Sequence, residues 1–154
     1  MSSNSDKDKQ TAQVIRTRVT HELSAAFLTH GLTPSNLGML PQPDGFAQPK
    51  ADGPCNDTIE LYLRVRDGII TDPRYMTEGC LHTVACGSAL TTIIKGKSVA
   101  QAYQLKVEDI ADELGGLDQA HWHCAELALK TLRHALRDYY DKRRSPWQKL
   151  YDKT

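Results

Sequence analysis

Three of the four cysteines, Cys55, Cys80 and Cys124, fall at points where the chain pattern changes, and the last has His123 beside it. Cys55 lies in the loop "GPCND", Cys80 follows Gly79 in "EGCLH", and Cys124 closes "HWHC" where a strongly helical segment opens. Thiolates are nucleophiles and soft ligands for zinc and iron–sulfur units, and an imidazole suits the same metals. A thiol near a helix N-terminus faces unsatisfied N–H groups and the positive end of the dipole, which lowers its pKa. Cys124 is therefore expected to be a ligand or a nucleophile. Glycines beside two of the cysteines, Gly53 and Gly79, would let the backbone approach a bound group. Taken singly, each cysteine also reads as a small buried hydrophobe, and the spacing is not a CxxC zinc pattern.

The elements must bring those positions together. At 154 residues the chain is expected to form one domain with a real core. Lys+Arg and Asp+Glu both number 19, so the net charge is zero, which excludes a general nucleic-acid or anionic-membrane binder. The short cluster Lys142-Arg143-Arg144 reads as a solvated helix end. No apolar run reaches membrane length, and "MSSNSDKDKQ" lacks the hydrophobic stretch of a secretory signal. A cytoplasmic location follows, where cysteines stay reduced and disulfides are not expected.

Residues 1–10 read as a disordered tail, and from Thr11 to His30 the positions Ile15, Val19, Leu23, Ala26 and Phe27 predict a helix stopped by Gly31. "LTPSNLGMLPQPDG" is a loop. "GFAQPKADGP" can hold a short edge strand. In "TIELYLRV", Ile59, Leu61, Leu63 and Val65 alternate with Thr58, Glu60, Tyr62 and Arg64. "RDG" turns into "IITDPRYMT", where Pro73 implies an edge or a bulge. Helices follow: one after Cys80 ending at Gly96, one capped by Ser98, one over "VEDIADEL", and one from about His121 to Lys142. The chain breaks at Pro146, leaving residues 145–154 as a tail that either docks through Trp147 and Leu150 or stays loose. Strands first and helices after predict an α+β domain over residues 11–144, with a small three-stranded antiparallel sheet covered by helices.

"GPCND", "TPSNLG", "IITDPRYMTEGC", "GKSVAQAYQLKVEDIADEL" and "HCAELALKTLRHALRDYYDKR" together resemble the iron–sulfur cluster scaffold proteins of the IscU and NifU N-terminal type, in order from about residue 11 to 144. The resemblance implies the SufE/NifU-like (IscU-like) fold. It also implies that Cys55, Asp57, Cys80, His123 and Cys124 bind zinc, as in the protein as isolated, or iron in a [2Fe–2S] cluster held by Cys55, Asp57, Cys80 and Cys124. Cys124 would accept persulfide sulfur. The implied partners are a cysteine desulfurase, an iron or electron donor such as frataxin or ferredoxin, and apo iron–sulfur client proteins. Without the resemblance, Asp57 would read as a turn residue; with it, Asp57 is a hard oxygen ligand that lets a cluster leave.

The chain departs from the family in several places. Asn56 follows Cys55 where the family has Gly, although Asn tolerates positive φ. Leu117-Asp118-Gln119-Ala120-His121 replaces the Leu-Pro-Pro-Val-Lys motif that a dedicated chaperone binds, so the resemblance does not imply that partnership here. His121, in the lysine's place, could itself be a ligand. Cys86 reads as packing and His82 as a surface residue with a minor claim as a ligand. His21, His30 and His134 show no constellation. The expected function is a stand-alone, non-enzymatic scaffold that builds a [2Fe–2S] cluster and transfers it. The alternatives are a zinc-binding sulfurtransferase relaying persulfide, or a regulatory module on the same fold.

Overall fold

A computed structural model describes residues 24–49 and 57–144. The expected tails, residues 11–23 of the first predicted helix, and Gly53, Cys55 and Asn56 lie outside the described residues. Among those described, five helices accompany one three-stranded antiparallel sheet: α1 (Ala25–Leu32), β1 (Gly45–Ala47), β2 (Ile59–Arg66), β3 (Ile69–Thr77), α2 (Leu81–Ile94), α3 (Val99–Tyr103), α4 (Val107–Glu113) and α5 (Trp122–Arg143), the last preceded by a 3₁₀ turn at Gln119–His121. The architecture is the α+β class expected. No described helix is long and apolar enough to cross a membrane.

The sheet order is β1-β2-β3, so β2 is central. Ile59, Leu61, Leu63 and Val65 are buried on the face that α2 and α5 cover. Alternation fails at Tyr62, which was expected to face solvent but is also buried. Phe46 of β1 covers its ring, with centroids 5.0 Å apart, and Glu60 accepts its hydroxyl at 2.7 Å. Asp67 and Gly68, at φ 54° and 75°, form the two-residue turn joining β2 to β3, a conformation that matches strand twist and suits this residue pair. The register slips after Arg64, which pairs with Asp72 while Val65 pairs with Ile70, so Thr71 is the extra residue of a bulge. Pro73 sits on the outer strand beside it, as expected. The loop after α1 covers that open edge: Asn36 O accepts from Tyr75 N at 3.0 Å, and Gly38 N donates to Tyr75 O at 2.9 Å.

Two expectations for the first helix are corrected. The helix does not run unbroken through residue 24, because Ser24 has an extended ψ of 162° and caps α1 by accepting from Phe27 N at 3.0 Å. The same hydroxyl donates to Leu114 O at 2.5 Å, pinning α1 to the end of α4. Gly31 is not a stop, since α1 continues to Leu32. Its missing side chain makes room for Leu81: a Cβ there would lie 2.8 Å from Leu81 Cδ1.

The sheet and α2 lock through Tyr75 and Gly87. Tyr75 is wholly buried, its hydroxyl donates to Val84 O at 2.8 Å, and its ring lies where a Cβ on residue 87 would be, 2.4 Å from Cε2. Ser98 caps α3 in a reciprocal box with Gln101, and Gly115 and Gly116 close α4 with positive φ. On α5, Ala125, Ala128, Leu132, Ala135, Leu136 and Tyr139 are buried as expected. Each large apolar side chain removed from water contributes about 1.5–3 kcal/mol. At its C-terminal end Lys142 pairs with Asp138 at 2.9 Å and Arg143 donates to Tyr139 Oη at 2.6 Å, so the basic cluster is a helix end.

Candidate metal centre

The hairpin fixes the first half of the site. Ile59 pairs with Thr77, so Asp57, two residues before β2, and Cys80, three residues after β3, emerge at the same end of the sheet. Thr77 holds that end closed by donating to Thr58 O at 2.5 Å. Cys80 is the N-cap of α2, with φ −70° and ψ 173°. Cys124 is the third residue of α5, and the first turns of the two helices meet. As a result, the carboxylate of Asp57 and the thiols of Cys80 and Cys124 lie within 4.8 Å of one another. Tetrahedral Zn–S bonds of about 2.3 Å place ligands roughly 3.8 Å apart, so donors within 4.8 Å of one another need to close by no more than about an ångström to share an ion.

Thr83 stands in the middle. Its hydroxyl donates to Asp57 Oδ2 at 2.5 Å and lies 3.5 Å from both Cys80 Sγ and Cys124 Sγ. The backbone N–H of Cys80 also points to Asp57 Oδ2, at 3.5 Å. Gly79 makes room for this threonine: a Cβ on residue 79 would lie 2.7 Å from Thr83 Cβ. Thr83 was not singled out in the sequence, although its place one turn after Cys80 on a helix was a usable signal.

The thiols differ sharply. Cys80 is exposed, whereas Cys124 and Cys86 are buried. Burial pushes the Cys124 thiol up to about 12; the Thr83 hydroxyl works against that, while Cys80 and Asp57 add to it. The expectation that a helix N-terminus would lower the Cys124 pKa is not met, because burial raises it instead. Cys86, held well above the usual thiol range by burial, is packing, as expected.

His123 lies alongside, with Nε2 3.6 Å from Cys124 Sγ. The other histidines are rearranged relative to expectation. His82 is half-buried, its ring between Phe27 at 4.9 Å and His121 at 3.4 Å. His30 is not isolated: it is 8% exposed, with Nδ1 2.7 Å from Ser88 Oγ and Nε2 3.2 Å from Glu113 Oε1, which ties α1 to α2 and α4. His134 is exposed.

Soft thiols, one carboxylate and a neighbouring imidazole, converging at helix ends, make a set that can hold zinc or iron. Residues 23–146 match the family described as the NifU-like N terminal domain. The chain belongs to that family. Its relatives include the iron–sulfur cluster assembly scaffold protein IscU of Aquifex aeolicus, 37% identical over 123 residues, 79% of this chain and 78% of that protein. IscU 1 of Archaeoglobus fulgidus is 34% identical over 113 residues, 73% of each chain. Among solved structures, a NifU-like N-terminal protein from Brucella abortus superposes with a TM-score of 0.62 over 80% of this chain and 98% of that one, at 18% identity. A SufU-type structure from Fervidobacterium islandicum gives 0.58 over 73% and 95%, at 20% identity. At those identities the structural likeness speaks for the NifU-like fold alone. The span matched to the family contains Cys55, Asp57, Cys80, His123 and Cys124.

Proposed function

We propose that this chain is a non-enzymatic scaffold on which a [2Fe–2S] cluster is assembled from iron and desulfurase-derived sulfur, and from which it passes to apo-proteins. The observation that carries the reading is the convergence of Asp57, Cys80 and Cys124 within 4.8 Å at the meeting point of two helix ends. The naming of the IscU relatives as assembly scaffolds supports it. Cys55, Asp57, Cys80 and Cys124 are the cluster ligands in this account, with His123 within reach of the Cys124 position. Zinc takes the same donors when no cluster is present.

Cys124 is the sulfur acceptor. Its thiolate attacks the terminal sulfur of the desulfurase persulfide; a new S–S bond forms on Cys124 and the desulfurase thiolate leaves. Because burial keeps Cys124 protonated, that proton must go first. Coordination to incoming iron removes it, since a coordinating thiol is deprotonated. Two sulfane sulfurs need four electrons to become sulfide. Two ferrous ions supply two as they become ferric, so an electron donor of the ferredoxin type supplies the rest. Frataxin or an equivalent brings the iron, and the chemistry runs in the cytoplasm, where thiols stay reduced.

The hard oxygen of Asp57 is the weakest match to iron among the ligands, which suits a site that must release its product. The test is anaerobic reconstitution with ferrous iron, cysteine, a desulfurase and a reductant, followed by addition of an apo-ferredoxin. Cluster absorption appearing on this chain and then on the ferredoxin is the expected result. Persulfide accumulating on Cys124 with no cluster formed would replace the scaffold by a sulfur relay.

A further inference from the structure

A second group of donors lies beside the first. His82, Asp118 and His121 place ligand atoms within 4.8 Å of one another, and all three are half-buried. They come from the elements that carry the thiols: His82 is two residues past Cys80 in the first turn of α2, and His121 ends the 3₁₀ turn three residues before Cys124. Whatever aligns Cys80 with Cys124 also aligns His82 with His121.

Asp118 Oδ1 and His121 Nδ1 share a hydrogen at 2.7 Å. Octahedral bonds of about 2.1 Å put neighbouring ligands roughly 3 Å apart, so a cation replacing that hydrogen needs little separation of the pair. The imidazoles of His82 and His121 stack with centroids 3.4 Å apart and planes 4° from parallel. Parallel planes do not meet, so loading turns one ring about its Cβ–Cγ bond, a soft torsion. Two imidazoles and one carboxylate form a harder set than the thiols next door, and this combination with open positions suits ferrous iron. His123 spans the gap between the two groups, its ring 6.5 Å from that of His121 and its Nε2 3.6 Å from Cys124 Sγ.

We propose that His82, Asp118 and His121 form a second divalent-cation site, which takes up Fe²⁺ beside the thiolate site and feeds it. The iron role rests on the scaffold reading above; the cation site does not. Co²⁺ is the probe, titrated anaerobically into the full chain carrying Cys55→Ser, Cys80→Ser and Cys124→Ser. That variant is expected to bind one Co²⁺ with weak d–d absorption and no sulfur-to-metal charge transfer. Adding His82→Gln, His121→Gln or Asp118→Asn should weaken binding at least tenfold, with circular dichroism confirming that each variant is folded. No Co²⁺ bound to the triple-serine chain, or binding unmoved by both histidine variants, overturns the site.

With the thiols intact, His82→Gln should slow cluster assembly several-fold at limiting Fe²⁺ and match the parent at excess Fe²⁺. Equal rates at limiting Fe²⁺ overturn the feeding role. A parent chain that assembles no cluster overturns the scaffold reading and the iron role with it, and leaves the cation site to the Co²⁺ result.

Discussion

The Thr83 hydroxyl donates to Asp57 Oδ2 at 2.5 Å, joining the first turn of α2 to the residue that leads into β2. A wholly buried threonine therefore sets where the Asp57 carboxylate points. A hydroxyl has a single hydrogen, and Asp57 is its nearest acceptor, so Cys80 and Cys124 at 3.5 Å are left with weaker claims on it.

Thr83→Val keeps the side-chain shape and removes that hydrogen bond. Bonds to charged groups contribute about 1.5–3 kcal/mol, so the variant should melt several degrees lower and lose bound zinc faster to a chelator. Thr83→Ser should restore much of both. Chelator-driven release rates for the three proteins check this, and identical rates would remove Thr83 from the site.

Cys124 should alkylate far more slowly than Cys80 in the metal-free protein. Its pKa is raised to about 12, so the thiolate fraction at pH 7–9 is small and grows about tenfold per pH unit. Cys80 is exposed and offers no such barrier to the reagent. Iodoacetamide labelling followed by mass spectrometry should show Cys80 modified first, with the Cys124 rate still climbing above pH 9. A Cys124 rate that matches Cys80 at pH 7 would mean the helix dipole prevails over burial after all.

Local signals in the sequence were readable, and long-range ones were not. The Asp67-Gly68 turn, the Ser98 cap and the glycines that close α4 depend on neighbouring residues, and each lies where the pattern put it. Ser24 was hidden because it sits inside an apolar helical rhythm, yet it caps α1 and serves Leu114, 90 residues on. Tyr62 was misplaced because Phe46, from another strand, covers it. The same limit applied at the site. Cys80 and Cys124 were legible as thiols at element ends, but the burial that sets Cys124's pKa comes from packing. The stack of His82 on His121 arises from two distant segments, and no local pattern announces it.

Gly87→Ala should destabilise the protein despite alanine's better helix propensity, worth about 1 kcal/mol. The added Cβ would stand 2.4 Å from the Tyr75 ring, which is wholly buried and bonded to Val84 O. Overpacking of this kind costs about 1–3 kcal/mol or more. Because Tyr75 fixes how α2 lies on β3, the strain should also reach Cys80. Urea unfolding measures the loss, and a midpoint equal to or above that of the parent would show that the ring can give way.

The account rests on Cys80 and Cys124 acting together as cluster ligands, and one measurement tests this most directly. Iron and acid-labile sulfide are quantified after anaerobic reconstitution of the parent chain and of Cys80→Ala, Cys124→Ala and Cys86→Ala, once a chelator has removed ferrous iron held outside a cluster. Equal amounts of iron and sulfide should be bound by the parent and by Cys86→Ala, whose thiol is buried packing. Both should be lost from Cys80→Ala and Cys124→Ala, with all four proteins folded. Undiminished iron and sulfide in either of those two variants, or none in the parent, would contradict it.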